Sequence, residues 1–81
     1  MKHQIHSFVC KTTFSDPGKI NYDTLLFEEG IFDSMGLLNL LAFLETDYAI
    51  KIADSELDAD NFGSIDAIVS FLERKLNNNN L

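Results

Sequence analysis

The feature that most restricts the fold is a run of apolar residues, MGLLNLLAFL at 35–44, in the middle of an 81-residue chain. Its period predicts a helix over residues 34–48, with a core face made of Leu37, Leu40, Leu41, Leu44 and Tyr48. Three other apolar residues, Met35, Leu38 and Ala42, fall on a different side of this helix. A bundle of this size cannot bury a helix on every side, so either the neighbouring loop covers this second stripe or a partner binds it.

Three further segments show helical patterns, and the one competing strand pattern, at residues 48–52, is weak. Residues 4–14 predict a first helix with Ile5, Phe8, Val9 and Thr12 on one face. A short helical turn is expected over 54–60, capped by Asp54 or Ser55. Ser64 starts a last helix that runs to about Leu76, with Arg74 and Lys75 near its negative end. The sequence therefore predicts an all-α fold, a small four-helix bundle with three main helices and one short helix.

The stretch between the first two main helices predicts a long loop. It follows the turn signal Asp16-Pro17-Gly18 and has no sustained period through residue 32. Long loops in compact domains are often functional, and we expect this one to be fixed by its apolar side chains, which are Leu25, Leu26, Phe27, Ile31 and Phe32. No repeat or linker divides the chain, so we expect one domain over 1–81, with 1–3 and 77–81 frayed.

Charge and composition exclude several classes of function. The net charge is −7, and residues 22–60 contain ten acids against the single base Lys51. Nucleic-acid binding is therefore not expected, because phosphate backbones require clusters of Lys and Arg. An acidic surface of this kind either attracts basic partner surfaces or is simply well solvated. The single cysteine, Cys10, forms no internal disulfide, and no segment is long enough to span a membrane, so we expect a cytoplasmic monomer.

The dipeptide Asp33-Ser34 precedes the apolar helix, and both residues are good helix caps. If Ser34 is the cap, its hydroxyl accepts a backbone N–H and is occupied. If Asp33 is the cap, Ser34 is the first helical residue, and its hydroxyl is free at the positive end of the helix, where a phosphate would be stabilised. Gly36 in the first turn is unfavourable for a helix but lets a bulky group approach the backbone.

Several segments in order carry a family resemblance. The sequence LLFEEGIFDSMGLLNLLAFLETDYAIKI, followed by ELDADNFGSIDAIVSFLERKL, resembles the acyl carrier proteins from about residue 23 to 76. LFEEG is similar to the family's loop signature, and Asp33-Ser34-Met35 is similar to its attachment motif. The segment NFGSI resembles the entry to the family's last helix. The Ser-Met-Gly-Leu-Leu pattern is closer to stand-alone carriers of amino acids or specialised acyl groups, such as D-alanyl carrier proteins.

The resemblance implies a carrier function and no catalysis by the chain itself. It implies a 4′-phosphopantetheine arm on Ser34, attached by a phosphopantetheinyl transferase, with Asp33, Met35 and Gly36 around the attachment point. The thiol of the arm would hold an acyl or aminoacyl group, supplied by a ligase and passed to an acyltransferase or synthase of fatty-acid or secondary-metabolite biosynthesis. A partner surface is expected at Met35, Leu38, Ala42, Glu45 and Asp47. The usual acids soon after the serine are replaced by Gly36 and Asn39.

Other interpretations of the same residues are weaker or remain open. Asp54, Glu56, Asp58 and Asp60 alternate as in a calcium loop, but the glycine and the terminal glutamate of such a loop are absent. A hydrolase built on Ser34 lacks the Gly-x-Ser-x-Gly motif. His3 and His6 have no third metal ligand and are expected at the surface. The open alternative is a helical interaction domain without a prosthetic group, whose apolar stripe binds another protein.

Overall fold

The computed structural model describes residues 1–79, and the side chains of residues 1–77, as an all-helical fold. Four α-helices follow one another: α1 (Lys2–Thr13), α2 (Ser34–Tyr48), α3 (Ala59–Phe62) and α4 (Ile65–Asn79). Two single 3₁₀ turns, Pro17–Lys19 and Asp54–Glu56, lie in the connecting loops. The predicted fold class, three main helices and one short helix, is confirmed. None of the helices described combines the length and apolar character that crossing a bilayer requires.

The core forms where α1 packs against both α2 and α4. Ile5 and Val9 of α1 and Leu40 and Leu44 of α2 are fully buried, as the helical period predicted. α4 contributes the largest share of the core, with Ile65, Ile68, Val69, Phe71 and Leu72. Leu37, Leu41 and Tyr48 are half-buried against this cluster. The predicted core face of α2 is therefore the face that packs inward.

Helix boundaries follow the capping chemistry of the sequence. α2 begins after Asp33 and ends at Ala49, which adopts the left-handed conformation. The predicted short helix at 54–60 is instead split. Asp54–Glu56 forms a 3₁₀ turn, and the Asp58 side chain accepts the N–H of Asn61 to start α3. The cap is therefore Asp58 and not Asp54 or Ser55, and the α-helix starts later than predicted.

The last helix is longer than the pattern indicates. The Ser64 hydroxyl accepts the N–H of Ala67 at 3.1 Å, which confirms the predicted start. The helix continues to Asn79, whereas the pattern predicts an end at about Leu76 with fraying beyond, because a formed helix extends at little further cost. Residues 80–81 lie outside the described part of the chain. Lys75 therefore does not sit at the helix end but pairs with Glu56 at 2.7 Å.

The long loop before α2 is fixed to the core by three of its apolar residues. The N–H of Leu26 donates to the carbonyl of Gly63 at 2.8 Å, and the carbonyl of Leu26 accepts from Ile31 and Phe32. Leu26 and Phe32 are buried, and Ile31 is half-buried. The prediction that apolar side chains fix this loop holds for these three residues. It is wrong for Leu25 and Phe27, which are exposed by 50% and 37%.

Candidate functional site

The start of α2 resolves which of two residues caps the helix. Asp33 has extended backbone angles, and its Oδ1 accepts the N–H of Gly36 at 2.9 Å. The backbone carbonyl of Asp33 accepts the first helical N–H, that of Leu37, at 3.0 Å. Ser34 is consequently the first residue of the helix and is exposed. Its hydroxyl makes no hydrogen bond with any other residue in the range 1–79.

The backbone around Ser34 also favours a negative charge. The first turn of a helix leaves N–H groups without intrahelical partners. Asp33 satisfies the N–H of Gly36, whereas those of Ser34 and Met35 have no acceptor within the described part of the chain. These two donors lie at the positive end of the helix dipole, next to the free hydroxyl. A phosphate esterified to Ser34 would find donors and a favourable dipole there.

Gly36 lies in the first turn of α2, against the ring of Phe32. It is buried, and a Cβ added to it would lie 3.1 Å from Cδ1 and 3.4 Å from Cε1 of Phe32. The room that the glycine leaves is thus filled by the Phe32 ring, which closes the core under the first turn of α2. The absence of a side chain at residue 36 brings the loop into contact with the helix and so fixes the position of Ser34.

The second apolar stripe of α2 is exposed. Met35 and Leu38 expose 64% and 56% of their surface, and Ala42 and Glu45 follow them on the same side of the helix. The neighbouring loop does not cover this stripe. Phe27 of that loop is also exposed, by 37%, and its ring lies 5.7 Å, centre to centre, from the Phe32 ring. The sequence pattern assigns Phe27 to the core, because a loop without a period gives no indication of which apolar residue faces outward.

The two acids grouped with this stripe have different places. Glu45 accepts the backbone N–H of Ile52 at 3.0 Å, so its carboxylate also anchors the chain after α2. Asp47 lies about 140° around the helix axis from Ala42. It lines a crevice between α1 and α2 together with Lys11. The structure therefore brings Met35, Leu38, Ala42 and Glu45 together and places Asp47 elsewhere.

The two histidines and the cysteine belong to α1, and His6 and Cys10 take part in its packing. His6 is half-buried, contrary to the expected surface position, and its Nε2 lies 2.7 Å from the carbonyl of Ile20. Cys10 is buried, and burial, with a smaller contribution from Asp16, raises the pKa of its thiol. His3 is exposed. No group of three or more potential metal ligands occurs within residues 1–79.

Two of the alternating acids of residues 54–60, Glu56 and Asp58, make separate contacts. Glu56 pairs with Lys75 and accepts the N–H of Ala53, and this contact with Lys75 lowers the pKa of Glu56 below its usual value. Asp58 caps α3. Their carboxylates point to different partners on two elements, which is the arrangement of a cap and an ion pair and not of a calcium loop.

Comparison with known proteins identifies relatives along nearly the whole chain. No protein-family model matches. A D-alanyl carrier protein of Lactococcus lactis subsp. cremoris is 32% identical over 79 residues, which cover 98% of this chain and 100% of the relative. A D-alanyl carrier protein of Lacticaseibacillus casei is 31% identical over 74 residues, 91% of each chain. One of Bacillus velezensis is 31% identical over 71 residues, 88% of this chain and 91% of the relative.

Proposed function

The chain belongs to the family of the D-alanyl carrier proteins, and from this premise we propose that Ser34 holds an aminoacyl group as a thioester on a 4′-phosphopantetheine arm. Members of this family are carriers and not enzymes. The observation that supports the attachment point is the free, exposed hydroxyl of Ser34 at the first position of α2, with Asp33 as the cap. A serine that capped its own helix would have its oxygen occupied.

The residues present suit the phosphodiester of such an arm. The unpaired N–H groups of Ser34 and Met35 lie at the positive end of α2, where they favour a negative charge. When bound, the arm supplies a thiol that forms the thioester with the carried group. The Asp33 carboxylate lies one residue from the modified hydroxyl, and we assign it a second role beside capping, to engage the metal of the transferase. No residue of the chain needs to act as a base, since the transferase performs the chemistry.

The exposed stripe suits the partners that a carrier must visit. Met35, Leu38 and Ala42 offer apolar contact next to the attachment point, and Glu45 offers a charge at the far end. We assign this surface to the transferase, to the ligase that loads the carrier and to the acyltransferase that unloads it. A tethered substrate raises the local concentration that each enzyme encounters. We therefore propose that the carrier is a monomer in the cytoplasm, with its stripe accessible to these enzymes.

Intact mass tests the attachment directly. Coexpression with a phosphopantetheinyl transferase and supply of coenzyme A should add the mass of one arm to the wild-type chain. Ser34→Ala should abolish the addition, because it removes the nucleophilic oxygen. Ser55→Ala is the matched control, since Ser55 is also exposed in a helical turn but should leave the addition unchanged. A wild-type chain that stays unmodified with several transferases would instead favour an interaction domain without a prosthetic group.

The identity of the carried group needs a second measurement. The modified protein is incubated with ATP, D-alanine and a D-alanine-activating ligase, and in parallel with ATP and L-alanine, fatty acids or aryl acids and their ligases. We expect a further mass increase with D-alanine, and its loss on treatment with hydroxylamine, which cleaves thioesters. Charging by a fatty or aryl acid alone would keep the carrier function and change its cargo.

A further inference from the structure

A crevice opens directly beside the attachment serine. It has a volume of about 280 Å³ and lies between the C-terminal end of α1 and the first two turns of α2. Its α1 wall comprises Thr12, Thr13 and Phe14, and its α2 wall includes Asp33, Met35 and Asn39. The residues on both sides of Ser34 thus line it. Its size lies near the lower end of the range for small-molecule sites, which suits a slender chain better than a bulky ligand.

Phe14 stands at the rim of this crevice in an unfavourable state. It terminates α1 in the left-handed conformation, with φ 56° and ψ 36°, where glycine is the ordinary residue. Its side chain is 96% exposed, so burial does not offset the strained backbone. Strained positions of this kind persist where the surrounding structure holds them and often belong to functional sites. The exposed aromatic ring therefore offers an apolar surface beside the proposed attachment point.

The polar groups of the crevice differ between its two ends. At the α2 end, the unpaired N–H groups of Ser34 and Met35 favour a phosphate. At the α1 end, the carbonyls of Thr12 and Thr13 accept no backbone hydrogen bond within the described residues, so they are free to accept. The Thr13 hydroxyl is already used by the carbonyl of Val9 at 2.7 Å. The Thr12 hydroxyl and the Asn39 amide have no such partner in residues 1–79.

We propose that the phosphopantetheine arm rests in this crevice when no partner enzyme is bound, with Phe14 as its principal apolar contact. This inference rests on the proposed attachment at Ser34. Pantetheine consists of a gem-dimethyl group followed by two amides, so it needs apolar contact near the phosphate and hydrogen-bond acceptors farther along. Phe14 and Met35 supply the first, and the carbonyls of Thr12 and Thr13 supply the second. Attachment at residue 34 makes docking intramolecular, which favours even a weak site.

Met35 gives the resting arm a consequence for partner binding. It lines the crevice and also begins the exposed stripe of α2. An enzyme that docks on the stripe covers Met35 and thereby removes one wall of the arm's site. Docking and arm release are then coupled through one side chain. The larger groove of about 850 Å³ between α1 and residues 17–22 also includes Phe14, but it contains no residue adjacent to Ser34.

The test compares the apo and modified forms of the whole protein by NMR, with no partner present. Intact mass first establishes that the modified sample bears one arm. We then expect shifted backbone amides at Thr12, Thr13 and Phe14, in addition to those at Asp33–Gly36 next to the attachment. Nuclear Overhauser contacts should join the gem-dimethyl protons of the arm to the Phe14 ring and the Met35 methyl group.

Phe14→Gly supplies the decisive variant, because glycine suits the left-handed backbone and the fold is retained. The shift of an amide scales with the fraction of time that the arm is docked, so the changes at Thr12 and Thr13 should fall at least about twofold. Ala49→Gly is the control, as it makes the same exchange at the left-handed end of α2, and it should leave these changes at the wild-type size.

Two outcomes overturn the proposal in different ways. If mass shows the arm but shifts stay confined to residues 33–36, the arm is attached and does not rest in the crevice. The resting site is equally excluded if Phe14→Gly and Ala49→Gly both leave the shifts at Thr12 and Thr13 unchanged. If the mass shows no arm, the attachment at Ser34 fails, and the resting site fails with it.

Discussion

At the residue scale, the site depends on the fact that Asp33, and not Ser34, caps α2. The carboxylate of Asp33 satisfies the N–H of Gly36, and this leaves the hydroxyl of its neighbour without a backbone partner. We propose that the negative charge of the same carboxylate also binds the metal of the transferase. Capping requires an oxygen acceptor at residue 33, whereas metal binding requires a negative charge. Substitutions can separate these two requirements.

Asp33→Ala and Asp33→Asn should differ in stability and agree in loading. Loss of the cap in Asp33→Ala should lower the free energy of unfolding by about 1 kcal/mol, whereas asparagine caps nearly as well as aspartate. Both variants should accept the arm more slowly, because both lack the charge. Urea denaturation of the apo forms and the initial rate of the mass increase measure the two effects. Wild-type loading of Asp33→Asn would restrict Asp33 to its structural role.

Phe14 makes a second prediction at this scale. Removing the left-handed strain of a non-glycine residue is worth about 1–2 kcal/mol, and the extra backbone entropy of glycine in the unfolded chain takes back about 0.5–1 kcal/mol. Phe14→Gly should therefore stabilise the apo protein by up to about 1.5 kcal/mol in urea denaturation. A lower stability would show that the exposed ring makes a contact that its 96% exposure does not suggest.

At the scale of elements, α2 packs into the core with one face and exposes another apolar face, which we assign to partner enzymes. Leu40 and Leu44 are fully buried, while Leu38, two residues before Leu40, is 56% exposed. The helical period places these residues on different sides of one cylinder. Neither face can be read from hydrophobicity alone, because leucine occupies both. Substitution of one leucine at a time distinguishes them.

Leu38→Asp should weaken loading and leave the fold intact. The change places a charge in the docking stripe, so arm attachment and charging should slow, while far-ultraviolet dichroism and the unfolding midpoint stay close to wild type. Ser70→Asp, an equal added charge at an exposed position of α4, should affect neither. By contrast, Leu40→Ala should cost about 2–5 kcal/mol, as a buried leucine does. Unfolding of Leu38→Asp would assign Leu38 to the core.

Local patterns predicted some elements and failed at others for a physical reason. The period, together with Asp33 as one of two possible caps, predicted α2 at the bounds observed, because both signals lie within the helix itself. The exposure of Leu25 and Phe27 depends instead on the bond from Leu26 to the carbonyl of Gly63, a contact between distant segments. The same holds for His6, which turns inward to the carbonyl of Ile20. Helical geometry alone would have predicted the separation of Asp47 from the stripe. Asp47 was grouped with the stripe because it is close to Glu45 in the sequence.

At the scale of the whole molecule, charge is divided between two regions. Residues 22–60 contain ten acids and one base, whereas residues 1–20 contain three lysines, two histidines and one acid. The chain has a net charge of −7, and repulsion among its negative charges opposes compaction of the acidic region. This repulsion weakens when the pH falls and the carboxylates become protonated. One carboxylate should instead stabilise the fold when it is charged. Glu56 ties the turn before α3 to Lys75 of α4, which holds its pKa below the usual 4.5.

Because the pKa of Glu56 is lower in the folded chain than in the unfolded chain, its stabilising effect is complete above the unfolded value of 4.5. It is lost as the pH falls through the lowered folded value. Glu56→Gln should therefore be less stable than wild type at pH 7, by about 0.2–1 kcal/mol for a partly exposed ion pair. The difference should shrink as the pH falls from 7 through the lowered pKa of folded Glu56, because the glutamate then becomes uncharged like the glutamine. Urea denaturation across this range measures it.

Glu73→Gln provides the control for net charge. Glu73 is exposed on α4, and no ion pair within residues 1–79 involves it. Its neutralisation relieves the same general repulsion without breaking a contact, so Glu73→Gln should be as stable as wild type or more so at pH 7. If Glu56→Gln follows Glu73→Gln at every pH, the contact with Lys75 does not stabilise the fold. Packing of Phe62 against Phe71, with ring centres 5.1 Å apart, would then be what holds α3 on α4.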